Sequence, residues 1–344
     1  MRKSLRAAGS AIALAVSCVL GVVLAPSSAN AVAPASVAPA EAALAEVAPG
    51  VTAMPARTLD GRKVDGAAAA QAAASYWTPE RMRSATAAVL PRVTGPRRAE
   101  RQARPKSTPM VLDKQGARPL AEVTREAAGQ IHATTVLSAI GKVFFVDPTK
   151  GNTTHYCSGS LLLSIKAKLL LTAGHCVLHD GVQMLQVAFA PDYPGNQTRY
   201  GVVGTVMPAR WANEGVSGYD YSIAVLGSSI GNLYGGNPLV YDAPTSGILI
   251  DAFGFPGAEE GILRVCTGFT GGQALQQVGL PGCTRNDMGE GASGGPWIMA
   301  GDGFPGYVNG VNANFYPFDN FTTLYSPYFD DLTANVWFYA EYVS

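Results

Sequence analysis

The residues most able to do chemistry sit in a short glycine-rich run, Gly291-Ala292-Ser293-Gly294-Gly295-Pro296. A serine hydroxyl is a weak nucleophile at neutral pH. It needs a base to take its proton and donors to hold the oxyanion that follows attack. Glycines on either side let the backbone turn so that two amides, those of Gly291 and Ser293, aim at one spot. A base is at hand in Thr172-Ala173-Gly174-His175-Cys176, which follows the apolar run 169-LLL. An imidazole at a strand end can accept and return a proton near neutral pH. His132, His155 and His179 lack that context and read as solvated. The third group such a pair needs is a carboxylate that fixes the imidazole tautomer. Asp220 heads the apolar strand 221-YSIAVL, where an acid is costly unless paired. Asp180, Asp192 and Asp251 are weaker candidates, in a turn, a Pro/Gly loop and a strand.

These groups need a frame, and the sequence from Ile131 onward supplies a β texture. Runs such as 142-KVFFV, 160-SLLLS, 182-VQMLQVAFA, 247-GILIDAFGF and 306-GYVNGVNAN alternate with Gly, Pro, Asn and Asp clusters. Many short strands with regular turn signals predict an all-β barrel or sandwich. Near the end, Ser326-Pro327 and Asp330-Asp331 form a helix-start signature, and Tyr328, Leu332, Val336 and Tyr339 recur at helical spacing. One C-terminal α-helix is therefore expected.

Residues 1–31 read as a secretory signal peptide, with Arg2, Lys3 and Arg6 before an apolar stretch and Ala29-Asn30-Ala31 as the cleavage site. Cys18 would leave with it. Four cysteines remain, Cys157, Cys176, Cys266 and Cys283, which in an exported chain read as two disulfides. Three connectivities are open, and pairing of sequence neighbours is the simplest. Residues 32–128 are rich in Ala, Pro and Arg and read as a partly disordered propeptide and linker. Helices are expected over Asp65 to Ser75 and Pro79 to Leu90, and an exposed linker from Pro91 to Pro119. A retained surface linker is the alternative. This stretch carries 14 Lys/Arg against 9 Asp/Glu, whereas 129–344 carries 8 against 16. The opposite charges motivate docking of the leader on the domain, and the acidic second half argues against a nucleic-acid partner.

Cys157-Ser-Gly-Ser-Leu, Thr172-Ala-Gly-His-Cys176, Asp220-Tyr-Ser-Ile-Ala and Gly291-Ala-Ser-Gly-Gly-Pro296 resemble the chymotrypsin-like serine peptidases, in that family's order of His, Asp, Ser. The resemblance covers roughly 131–344. It implies two six-stranded antiparallel β-barrels with a triad in the cleft between them, and a disulfide closing the histidine loop, Cys157–Cys176. Short loops, the 253-FGFPG turn and Ala292 place the chain nearer the bacterial glutamyl-endopeptidase-like branch. Animal trypsin-like zymogens carry Asp where Ala292 stands, and Ala cannot form their activating ion pair. Asp287, six residues before Ser293, matches the position that selects Arg or Lys in trypsin-like enzymes, or is a structural turn residue. The segment Asn312-Ala313-Asn314 resembles the one that pairs with the substrate backbone. Glutamyl endopeptidases have a His near Asn312, and its absence weakens a Glu-specific reading.

The resulting expectation is a secreted, monomeric serine endopeptidase, 129–344, acting on proteins or peptides through Ser293, His175 and Asp220. It has its own propeptide as a partner, no stable membrane association, no nucleotide or redox cofactor and no metal. The leader is expected to be lost or displaced before activity appears. Two rivals are a catalytically inactive binding protein on the same fold and an exported esterase on an α/β scaffold, whose G-x-S-x-G pattern the serine turn also meets.

Overall fold

The strand Ile140–Asp147 is buried at all eight positions. A strand in a barrel wall hides one face inside, so a fully buried one needs a cover outside. In the computed structural model, which describes residues 46–90, 108–127, 137–259, 261–300 and 306–344, both faces are accounted for. Val143 and Phe145 join the barrel interior with Leu170, Phe189 and Ala224. Ile140, Phe144 and Val146 face outward onto Ala74, Trp77 and Met82 of the leader.

Six antiparallel strands close this first barrel. They are Ile140–Asp147, Thr153–Leu161, Leu169–Thr172, Ser222–Leu226, Tyr200–Pro208 and Leu185–Pro191, and the ring is completed by pairing of Tyr200–Pro208 with Ser222–Leu226. The second lobe is also β and is built from two sheets. A seven-stranded sheet containing Ser246–Gly254, Arg264–Gly271, Pro296–Met299 and Tyr307–Val311 lies with a separate three-stranded sheet around Gln277–Pro281 and Thr323–Pro327. One pairing in it, Leu239 with Val308, is parallel. Alternate residues of the barrel wall, Leu169, Leu171, Ile223 and Val225, point out of the barrel onto Ile298, Val308, Phe329 and Trp337. This second core joins the lobes and seats the C-terminal helix Asp331–Val343. A mostly β molecule with this barrel leaves no α/β scaffold for the esterase alternative.

That helix starts later than its first signal. Ser326-Pro327 ends a strand, where the Ser326 hydroxyl accepts from the Val311 amide, and Asp330 is the N-cap, closing a capping box with Thr333. Both leader helices form, as Gly66–Ser75 and Pro79–Ser84. The second is shorter than expected because Thr86–Ala87 turn to pair with His155 and Tyr156. The linker reading is corrected for 108–119. Met110–Asp113 and Gly116–Pro119 form a hairpin on the edge of the seven-stranded sheet, with Val111 and Leu112 fully buried. Val51–Pro55 likewise pairs with Tyr200–Pro208. Contact between leader and domain is made by apolar side chains such as Val51, Trp77 and Leu112 rather than by opposite charge alone. The expected signal peptide, Cys18, His132 and 91–107 of the expected linker lie outside the described residues.

Candidate active site

Leu169–Thr172 and Ser222–Leu226 pair with Thr172 opposite Ser222. This register sets the residues just beyond Thr172 beside those just before Ser222, and so joins His175 to Asp220. His175 lies in the turn Gly174–Cys176, and Asp220 ends the turn Ser217–Tyr219. His175 Nδ1 bonds Asp220 Oδ2 at 2.8 Å, and the His175 amide donates to Asp220 Oδ1 at 2.8 Å. One buried carboxylate thus holds both the ring and the backbone of the histidine, which leaves Nε2 as the ring nitrogen able to take a proton. Asp251, by contrast, accepts from Thr267, and Asp180 meets His179 at the surface.

Ser293 stands between the short helix Arg285–Met288 and the strand Pro296–Met299. Gly291 has φ +87°, and a Cβ there would come within 2.8 Å of the Tyr156 ring and 3.0 Å of the Ala87 methyl, so only glycine fits. The turn rests on the histidine loop. The Ser293 carbonyl accepts from the Ser158 amide at 2.7 Å and lies 3.9 Å from Cys176 Sγ. Cys157–Cys176 is a disulfide, as is Cys266–Cys283. The first ties the histidine loop to the strand that carries Ser158. Cys157, His175 and Cys176 crowd together because of that bond, and bonded sulfurs make poor metal ligands.

The site is closed as it stands. Ser293 is 0% exposed and His175 3%. Ser293 Oγ and His175 Nε2 are both buried without a hydrogen-bond partner. The cover is the leader segment 85–90. The Ala88 amide donates to the Tyr156 carbonyl at 2.9 Å, and the Gly291 amide donates to the Ala88 carbonyl at 3.2 Å. One of the two expected oxyanion donors is therefore occupied. The Ser293 amide has no acceptor among the described residues.

Other candidates land elsewhere. Asp287 is exposed, and its Oδ2 accepts from the Thr284 amide at 2.9 Å and the Thr284 hydroxyl at 2.7 Å. It is a helix cap, and the lean toward basic side chains drawn from it loses its support. Asn312 is buried with its side chain spent inside the fold, on Trp297, Phe253 and Ala292, so its side chain is not a substrate ligand here. The amides of Ala313 and Asn314 both donate to the Tyr325 carbonyl. The Asn314 side chain is buried with both polar atoms unpartnered. His155 is not solvated. It is 8% exposed between Thr86 and Thr153, and burial, foremost, holds its pKa below the usual histidine value. His179 is half-buried and lowered as well, by burial and then by the nearby His175.

Three contributors went unread in the sequence: Ser158, Ala88 and Lys142. Ser158 was visible only as part of the Cys157-Ser-Gly motif. Lys142 lies 3.8 Å from the centre of the Tyr156 ring beside a groove of about 940 Å³ next to Gly291, and burial lowers its pKa to about 8.

No protein-family model and no curated protein matches the chain. Solved structures do. A thermostable serine protease, AL20, from an extremophilic microorganism is 28% identical, with a TM-score of 0.53 over 60% of this chain and 99% of that one. Protease Anisep from Arthrobacter nicotinovorans is 26% identical, with a TM-score of 0.53 over 60% of this chain and 96% of that one. A Glu endopeptidase, at 19% identity and a TM-score of 0.50, covers 61% of this chain and shares the fold. The chain thus has the fold of the chymotrypsin-like serine proteases, and its neighbours support a protease in general.

Proposed function

We propose that the chain is a secreted serine endopeptidase, made as a precursor whose leader covers its own active site. The observation that carries this reading is the pair of hydrogen bonds that Asp220 accepts from the ring and amide of His175, on the loop against which the Ser293 turn is packed. Ser293 Oγ attacks the peptide carbonyl and gives its proton to His175 Nε2. Asp220 stabilises the imidazolium, and the Gly291 and Ser293 amides hold the oxyanion. The imidazolium then protonates the leaving amine, and water, deprotonated by the same imidazole, releases the acyl group. The open link between Ser293 and His175 closes when substrate takes the place of the cover, as catalytic hydrogen bonds commonly tighten in complexes.

Displacement of the whole 32–128 leader is not required by this geometry. Among the described leader residues only 85–90 lies on the serine turn, whereas Val51–Pro55 and the 110–119 hairpin continue the sheets. A cut that frees 85–90 is enough to open the site. Within the segment Asn312-Ala313-Asn314, expected to meet substrate, Asn314 retains side-chain atoms with hydrogen bonds left to make. Two disulfides fit an oxidising, extracellular setting. The test is fluorophosphonate labelling of the full chain before and after limited proteolysis. Labelling of Ser293 that rises sharply on cleavage supports the proposal. A cleaved, folded chain that never labels refutes it.

A further inference from the structure

Asn312 is the most completely bonded side chain near the serine turn, and its partners show what it does. Its Oδ1 accepts from Trp297 Nε1 at 2.9 Å, and its Nδ2 donates to the carbonyls of Phe253 at 2.7 Å and Ala292 at 2.9 Å. The orientation of the amide is unambiguous, because indole N–H can only donate and carbonyls can only accept. Its backbone is tied to the same turn, donating to the Gly295 carbonyl at 2.9 Å and accepting from the Gly294 amide at 2.8 Å. Space is kept for it. A Cβ on Gly295 would lie 2.8 Å from Nδ2, and one on Gly254 would lie 3.0 Å away.

A trans peptide is planar, with C=O and N–H pointing in opposite directions. A group that grips the carbonyl of residue 292 therefore aims the amide of residue 293. Asn312 grips Ala292 and so aims the Ser293 N–H. The neighbouring donor is set the same way, because the Glu290 carbonyl accepts from the Gly257 amide at 2.8 Å, which aims the Gly291 N–H. None of these bonds involves the leader. None needs a new chain terminus, and the methyl group of Ala292 could not pair with one.

We infer that Asn312 is a positioning residue that holds the oxyanion-binding peptides in working orientation, so that freeing 85–90 uncovers an oxyanion hole already formed. The inference rests on Ser293 being the nucleophile. One consequence needs no substitution: chains cut at different bonds around 85–90 should have equal kcat whatever residue becomes the new N-terminus.

The direct test uses Asn312→Asp in the full chain, with the cover cut by an added protease so that maturation does not depend on the variant. Aspartate keeps the acceptor for Trp297 but sets an oxygen against the two carbonyls. Loss of one aimed oxyanion donor costs about 10²–10³ in kcat. That loss is expected here, with KM within about threefold. Affinity for a peptide trifluoromethyl ketone, which forms an oxyanion, should fall in parallel, while affinity for a product peptide is kept. The defect should deepen as pH rises through the new carboxyl's pKa, since the protonated form can still donate to one carbonyl.

Trp297→Phe serves if the first variant does not fold. It keeps a ring in the core but removes the indole N–H that holds Asn312 Oδ1 at 2.9 Å. Loosening Asn312 in this way should lower kcat and ketone affinity together, by roughly tenfold for one supporting hydrogen bond. Folded variants with the parent's kcat, or with peptide binding lost alongside kcat, overturn the inference alone. A cleaved parent chain that neither turns over peptides nor binds the ketone overturns the nucleophile reading as well.

Discussion

The turn that carries Ser293 and the leader segment that covers it meet face to face, yet they are held by different means. Four consecutive carbonyls of the turn are each gripped from behind. Glu290 is held by the Gly257 amide, Gly291 by the Ser158 hydroxyl, Ala292 by Asn312 and Ser293 by the Ser158 amide. The cover is held by pairing of Thr86–Ala87 with His155 and Tyr156, by the Thr86 hydroxyl against His155 and, over the turn itself, by two backbone hydrogen bonds at Ala88, one of which uses the Gly291 amide, while Val89 beside it is exposed. The difference teaches how such a site can be both preformed and silent. On the proposed reading, rigidity comes from groups behind the turn, and silence comes from a carbonyl borrowing a donor the chemistry needs. A substrate oxygen competes for that same N–H, so the cover is removable in a way the turn is not.

The largest effect that would break this comparison is at Ser293. Ser293→Ala should lower kcat of the cleaved chain by about 10⁴-fold or more, as loss of a serine nucleophile does. Its stability should be unchanged or slightly raised, because the buried Oγ makes no hydrogen bond that would be lost. Assay of cleaved chain beside thermal unfolding reads both. Activity surviving the change would show that Ser293 is not the nucleophile, and a cleaved parent chain with no turnover would leave a binding protein as the better account. Next comes the cover. The two backbone hydrogen bonds at Ala88, at about 1 kcal/mol each, with a little methyl burial, predict that the intact chain is less active than the cut one by at least roughly 10²-fold, because the strand pairing of Thr86–Ala87 adds to them. Equal kcat/KM before and after cutting would show that the cover does not silence the site.

The two disulfides sharpen the contrast further. They close loops of similar length, 19 and 17 residues apart, so each should contribute about 3 kcal/mol by constraining the unfolded chain. Only Cys157–Cys176 touches the machinery. Cys157→Ala with Cys176→Ala should lose stability and most activity, while Cys266→Ala with Cys283→Ala should lose similar stability and keep kcat at the assay temperature. Urea unfolding paired with active-site titration separates the two, and equal loss of kcat in both pairs would contradict the assignment.

What the sequence made legible follows from how local each signal is. The pairing of His175 with Asp220 was readable because two short apolar strands each end next to the residue concerned, and sheet register does the rest. The helix Gly66–Ser75 was readable from an alanine run. The pairing of Val51–Pro55 with Tyr200–Pro208 joins segments some 150 residues apart and leaves no local trace. Pro109 and Pro119 made the hairpin between them look like linker, since a four-residue strand is too short to show its period. The outward burial of Phe144 was detectable in principle. A run with apolar residues on both faces, 143-VFFV, signals that something covers the barrel, and that something is Trp77. The role of Ala88 had no signal at all, because a backbone carbonyl carries none.

The smallest effect concerns Asp287, where two signals in one short loop competed. Thr284 followed three residues later by an acid is a capping pattern, and the carboxylate does bond the Thr284 amide and hydroxyl. The spacing to Ser293 pointed instead to selection of basic side chains. An exposed acid satisfied by its own helix has little pull on a distant guanidinium, because solvent screens it and its lone pairs are engaged. Asp287→Ala should therefore cost roughly 0.5–1 kcal/mol of stability, the usual worth of a cap. It should leave the cleavage preference on a peptide library unchanged. A library in which cleavage after Arg and Lys collapses on this substitution would return Asp287 to the pocket. It would then also require the helix Arg285–Met288 to rearrange when substrate binds.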